Sequence, residues 1–221
     1  PPPPPPFSSR RRHTRWCVRS RGLGDVYKRQ VLEVLREPME TGVINIARAA
    51  QRAEFPARFQ LIAAMNPCPC GYLGDAQADC NCSRDRVATY RNKVSGPLLD
   101  RIDLHVEVTR PPTEVLRSKR HSGEASSVVA GRVARAWEVQ TLRSGSCNAL
   151  LAGKQLDRHC PVDDACWVLI ENAAERFNLS ARAHQRVLRV ARTIADLAGR
   201  KKITPPHVAE ALSLRCLDRR V

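Results

Sequence analysis

Cys68, Cys70, Cys80 and Cys82 form the densest group of reactive side chains in the sequence. Two Cys-x-Cys pairs separated by nine residues offer four thiolates. These could close a tetrahedral zinc site and pin a loop that has no core of its own. Such a site would be structural, because four sulfurs leave no position for water. A one-residue gap strains chelation by both sulfurs at one metal, so the spacing is less diagnostic than paired Cys-x-x-Cys. Four reduced thiols, or a redox-sensitive patch, is the competing reading. The remaining cysteines, Cys17, Cys147, Cys160, Cys166 and Cys216, have no regular spacing. An odd total of nine without a framework points to a reducing cytosol, hence a cytoplasmic protein, and away from a disulfide scaffold. The histidines, among them His105, His159, His184 and His207, have no ligand spacing with the cysteines.

The second chemical signal is positive charge. The 221 residues carry 37 Lys+Arg against 22 Asp+Glu, a formal net charge of +15, which suggests a polyanionic partner such as nucleic acid or nucleotide phosphate. The charge is uneven. Residues 8–30 hold Arg10, Arg11, Arg12, Arg15, Arg19, Arg21, Lys28 and Arg29 against Asp25 alone, with no helical or strand period. This stretch reads as a basic nucleic-acid arm, or as the translated adapter sequence that contaminates assembled reads, whose wording it closely resembles. On the second reading residues 1–30 are non-native and disordered, and residues 31–221 keep a net charge of +8. The opening on six prolines, with no methionine, suggests a gene that begins upstream.

The remaining arginines have bland readings beside functional ones. Arg101 lies between Asp100 and Asp103, where a local ion pair is the simplest expectation. Arg182, Arg186 and Arg189 form a row, and such rows are usually solvated helix faces. Arg48 and Arg52 flank a turn. Asn66–Pro67 follows an apolar run and could simply turn the chain.

These residues must be placed by elements. Val31–Glu40 reads as a helix ending near Pro38, and Gly42 breaks the chain. Residues 43–47 and 52–55 read as strands of a hairpin around Arg48–Gln51. Phe59–Met65, FQLIAAM, is a continuous apolar run suited to a strand buried on both faces. Residues 66–83 are the cysteine loop, 84–94 a helix, and 104–108 another strand. Residues 110–127 are a linker. From 128 the chain reads as helical, over 128–143, 163–177, 180–198 and 205–214. Ser180 caps the third of these and Gly199 ends it. Thr204–Pro205 opens the fourth. On the third, Val187, Val190, Ala191, Ile194 and Ala198 share one face, and Arg182, Arg186 and Arg189 the other. The fold class is α/β followed by an all-α part. No apolar run approaches the length of a membrane span, and no apolar leader region is present.

Three blocks now stand in order: FQLIAAM running into NPCPCGYLGD, then GPLLDRIDLHVEV at 96–108, then SARAHQRVLRVARTIADLAG at 180–199. Their order and wording resemble the magnesium-chelatase-like AAA+ ATPases of the YifB/ComM family, over residues 31–221. The resemblance implies that residues 31–109 are the C-terminal half of a AAA+ P-loop core and that residues 128–221 are its helical lid. It implies Asn66 as the sensor-1 residue that orients the attacking water. It implies Arg101 as an arginine finger acting on a neighbouring subunit's nucleotide, and Arg182 as the sensor-2 arginine on phosphate oxygens. Arg48 and Arg52 would sit on a pre-sensor-1 hairpin facing a central pore, against a DNA backbone. The family implies ATP and Mg2+ as cofactors and identical subunits in a ring, a hexamer. It further implies ATP hydrolysis coupled to branch migration of DNA during natural transformation. A chelatase-like remodeller of a protein or metal-insertion partner, and a non-enzymatic zinc-stabilised nucleic-acid-binding module, are the alternatives.

Two motifs of that chemistry are missing from the sequence. A P-loop ends in Gly-Lys-Ser/Thr, whereas the one Gly-Lys here, Gly153–Lys154, runs into Gln155. No Asp–Glu pair occurs to hold magnesium. The expectation is a truncated C-terminal portion, supplying sensors and a finger without a complete ATP site.

Overall fold

The computed structural model describes residues 32–48, 51–111, 115, 123–177 and 179–215. The proposed foreign segment 1–30, most of the 112–122 stretch and residues 216–221 lie outside them.

A helical turn at 32–34 leads into helix α1, Arg36–Thr41. Pro38 is buried inside α1 and does not end it, because a proline in the first turn removes an N–H that has no intrahelical acceptor. The stop comes instead from Gly42, at φ 73°, whose N–H returns to the Pro38 carbonyl. Strands β1, Val43–Arg48, and β2, Gln51–Pro56, pair antiparallel, with Arg48 opposite Gln51 and Ile44 opposite Phe55. Asn45 Nδ2 donates to Glu37 Oε1 at 3.2 Å and ties the hairpin to α1.

The two further strands expected from the sequence do not form. Residues 57–66 have no regular structure, and Ile62 is 81% exposed. A continuous apolar run becomes a strand only where neighbours accept its backbone hydrogen bonds, and among the described residues β1 and β2 pair only with each other. Residues 104–108 make a single bridge, His105 with Arg215, and Val106 and Val108 are exposed. The described α/β part is therefore helix with one two-stranded sheet.

Helix α2, Arg84–Arg91, is capped by Ser83, whose hydroxyl accepts from the Arg86 N–H at 3.4 Å. The short α3, Gly96–Leu99, follows. The rest is helical: α4, Ser126–Ser144; a 3-10 turn, Asn148–Leu150; α5, Lys154–His159; α6, Asp164–Phe177; α7, Ala181–Leu197; and α8, Pro205–Ser213. The Ser180 hydroxyl accepts from Ala183 N–H at 3.1 Å, as the capping pattern predicts, and Gly199 at φ 65° follows the last turn. At the start of α8, Thr204 N–H donates to His207 Nδ1 at 3.1 Å.

The main hydrophobic core lies in this helical part. Leu151, Leu156, Cys160, Cys166, Ile170, Val187, Ala191, Ile203 and Val208 are among its buried members. Val187 and Ala191 are fully buried on the predicted stripe of α7, with Val190 and Ile194 packed against the core. Burial pushes the thiols of Cys160 and Cys166 up to about 11, so both act as small apolar side chains. No helix among the described residues is long and apolar enough to cross a membrane.

Candidate functional site

The segment after α3 joins the α/β part to the helical part. His105 N–H donates to the Leu214 carbonyl at 2.6 Å, and Arg215 Nη1 donates to the Ile102 carbonyl at 2.8 Å. Arg186, on α7, pairs with Asp103. The LLDRIDLH stretch is thus held along its length by the ends of α7 and α8.

Arg101 in this stretch is 8% exposed. Its Nη1 donates to the Pro97 carbonyl at 2.8 Å and its Nη2 to Glu40 Oε2 at 2.5 Å. The local pair with Asp100 or Asp103 expected from sequence is replaced by this distant one. Arg182, opening α7, donates to the other oxygen of the same carboxylate at 2.7 Å. Arg101 and Arg182 therefore converge on one anionic group. The hydrogen bond from Arg101 holds the Glu40 carboxyl below the usual carboxylate range against partial burial, and the charges of Arg101 and Arg182 add to it. Arg101, Glu40, Arg36, Glu37 and Thr41 line an open cleft of about 410 Å³ beside α1.

The arginine row of α7 is not a solvated face. Arg182 has 56% of its side chain exposed, but Arg186 keeps only 13% and is paired. Burial lowers the pKa of Arg189, which reaches the Ala149 carbonyl at 3.4 Å. One turn further on, Arg192 and Asp196 are fully buried and paired at 2.9 Å. Asp196 also accepts from Arg143 at 2.6 Å and from Asn148 at 2.9 Å. Burial works against the Asp196 carboxylate, and these hydrogen bonds and charges outweigh it, so its pKa is lowered. Sequence reasoning missed this network. The i, i+4 spacing of Arg192 and Asp196 was its one local signal.

Asn66 is exposed at the end of the irregular 57–66 segment. No hydrogen bond or ion pair joins it to Arg101 or Arg182. Its carboxamide lies beside Gly71, where an added Cβ would sit 3.7 Å from Nδ2. Arg52 is exposed on β2, opposite Ala47. Arg48 ends β1, and its side chain lies outside the described residues.

The cysteine loop does gather its sulfurs. Cys68 and Cys70 Sγ are 3.3 Å apart, Cys70 and Cys80 are 3.5 Å apart, and Cys68 and Cys80 are 3.6 Å apart. With Cys82, all four lie within 4.8 Å of one another. The one-residue spacing therefore brings both sulfurs of a pair to one point. A turn follows directly, with Gly71 at φ 88° and Gly74 at φ 82°, a left-handed backbone that suits glycine. Burial opposes ionisation of Cys68, but hydrogen bonds from Cys70, the Leu73 N–H, Cys80 and the Gly71 N–H bring its pKa down to about 6. Cys80, whose sulfur faces those of Cys68 and Cys70, is pushed up to about 12. Among the described residues every cysteine is a free thiol.

Comparison with known proteins matches this arrangement to a family. A family model described as magnesium chelatase, subunit ChlI, matches residues 25–116, and one for the ChlI C-terminal region matches residues 123–215. The chain is 43% identical over 194 residues to competence protein ComM of Haemophilus influenzae, covering 87% of this chain and 38% of that protein. It is 42% identical over 196 residues to the uncharacterized protein YifB of Salmonella typhimurium, with coverage of 87% and 38%. An uncharacterized protein of Mycobacterium bovis is 43% identical over 191 residues, with coverage of 83% and 37%. The chain thus spans less than two fifths of the length of these curated relatives. Two successive chelatase models cover both the joint that carries Arg101 and the helix that Arg182 opens, and the chain belongs to the magnesium-chelatase-like AAA+ family, with ComM and YifB among its relatives.

Proposed function

We propose that this chain supplies the sensor, finger and lid portion of a ring-forming AAA+ ATPase that couples ATP hydrolysis to the remodelling of DNA. The observation that carries the proposal is the convergence of Arg101 and Arg182 on the two oxygens of Glu40. Two guanidiniums drawn to one carboxylate make a fork for any anion of similar geometry, and a phosphate group has that geometry. In this reading Glu40 occupies the fork when no nucleotide is present. Arg101 then acts in trans, and Arg182 is offered with it to the same phosphate of the neighbouring subunit. Asn66 serves as the sensor that positions water.

The residues present fit only the anionic end of ATP. With no Gly-Lys-Ser/Thr and no Asp–Glu pair in the sequence, the phosphate cradle and the magnesium ligands belong outside these 221 residues. The exposed Phe59, Ile62 and Met65 support that reading, because apolar surface of this kind is normally covered by a partner. The Haemophilus relative is named a competence protein. With the residual positive charge and the exposed Arg52 on the hairpin, that name supports DNA as the polymer moved. The family's description as a magnesium chelatase subunit supports a second substrate class, a protein or metal-insertion partner.

In a full-length relative, alanine at the position of Arg101 is expected to lower ring ATPase turnover by on the order of 10³-fold with nucleotide binding retained. Unchanged turnover would end the finger assignment. Salt-dependent DNA binding by the same ring separates DNA from the second class, because contacts to phosphates weaken steeply as salt rises.

A further inference from the structure

We propose that Cys68, Cys70, Cys80 and Cys82 bind one structural Zn2+ ion that clamps the start of the cysteine loop to the start of α2. The geometry carries the proposal. A Zn–S bond of about 2.3 Å puts the sulfurs of a regular tetrahedron about 3.8 Å apart. The separations of 3.3, 3.5 and 3.6 Å lie just under that value, and all four sulfurs fall within 4.8 Å of one another. They are too long for disulfides, whose sulfurs sit about 2 Å apart. They are too short for a cluster of several irons, whose ligands must stand around a larger core. One tetrahedral metal fits, and among divalent ions a soft four-thiolate set favours zinc over iron.

The surroundings suit a permanent ion. The Gly71 N–H donates to the Cys68 carbonyl at 3.1 Å and closes the turn that carries the first Cys-x-Cys pair. No helix or strand runs between β2 and α2, so the loop has no regular structure of its own to hold it. On binding, each thiol loses its proton to water and its sulfur forms one bond to the ion, with no redox change. The ion would link Cys82, next to the Ser83 cap of α2, to Cys68. Arg91 of α2 already reaches the Pro67 carbonyl at 3.3 Å. Asn66 stands two residues before Cys68, so the ion would also fix the carboxamide's place. That last consequence rests on the sensor reading above; the metal content does not.

The test uses the full 221-residue chain, purified under reducing conditions without chelator. Elemental analysis is expected to give about one zinc per chain. Replacement by Co2+ is expected to give the intense visible bands of a tetrahedral tetrathiolate. Addition of chelator is expected to raise the number of reactive thiols by the four of the cluster. Cys80→Ser is expected to lower zinc content several-fold. If that variant fails to fold, the cobalt spectrum and thiol count on the unaltered chain decide alone. Stoichiometric iron, or a chain that takes up neither added Zn2+ nor Co2+, would overturn the proposal. Neither result bears on ATP or DNA, so the site and the proposed activity fail separately.

Discussion

Glu40 accepts a hydrogen bond from Arg101 at 2.5 Å across 61 residues of sequence, and so fastens α1 to the segment that follows α3. Arg101 is buried, while Glu40 keeps 40% of its side chain exposed. The two ends of this pair therefore carry unequal consequences. Loss of the carboxylate strands a buried guanidinium, whereas loss of Arg182 on the other oxygen removes a contact from a largely solvated side chain.

Glu40→Gln is expected to destabilise the fold by about 1–3 kcal/mol, the cost of leaving a buried charged donor poorly satisfied. Arg182→Ala is expected to cost under about 1 kcal/mol. Thermal melts of the two variants side by side check this. Equal losses would mean that Arg101 draws little from Glu40.

Asp196→Asn is expected to cost about 3–5 kcal/mol, because it leaves Arg192 charged and buried without its counter-ion. The same network predicts acid sensitivity. The Asp196 pKa is lowered in the fold, so its contribution is fully present above the unfolded aspartate's value of about 3.9. It is lost as pH falls through the lower, folded value. Denaturant melts of the parent between neutral pH and acid should show the loss, and the Asn variant should show a flatter profile.

Ile170→Ala is expected to cost about 2–5 kcal/mol, since Ile170 is fully buried in the helical core. Ile62→Ala is expected to leave stability within about 0.5 kcal/mol, since Ile62 is 81% exposed. Chemical denaturation of both variants tests where the core of this chain lies. A large effect at Ile62 would place a second core in the 57–66 segment.

Arg215→Ala is expected to loosen the joint between the two parts. Arg215 is buried and donates to the Ile102 carbonyl at 2.8 Å. Without it, amide hydrogen exchange should quicken at His105, whose N–H is bonded to Leu214, while α6 and α7 keep their protection. Exchange that quickens throughout the helices would mean that the joint and the core unfold as one unit.

What the sequence determined by itself is what local chemistry governs. The apolar stripe on α7, the Ser180 cap and the Gly199 stop were all legible, because a 3.6-residue period and a capping hydroxyl act over a few residues. The four cysteines could be picked out, but their one-residue spacing gave no assurance that the sulfurs meet. That depended on the left-handed turn at Gly71 and on the return of the loop to Cys80 and Cys82. The apolar run Phe59–Met65 misled, because strand formation depends on neighbours that a local pattern does not contain. Among the arginines' partners, Asp196 for Arg192, four residues on in the same helix, had a local signal, and the distant partners had none. Glu40 lies 61 residues from Arg101, and Asp103 lies 83 residues from Arg186. Only the packing of α7 against the 3-10 turn and the joint brought these acceptors within hydrogen-bond reach. Ion pairing in a protein is set by distance and burial, and neither can be read from order along the chain.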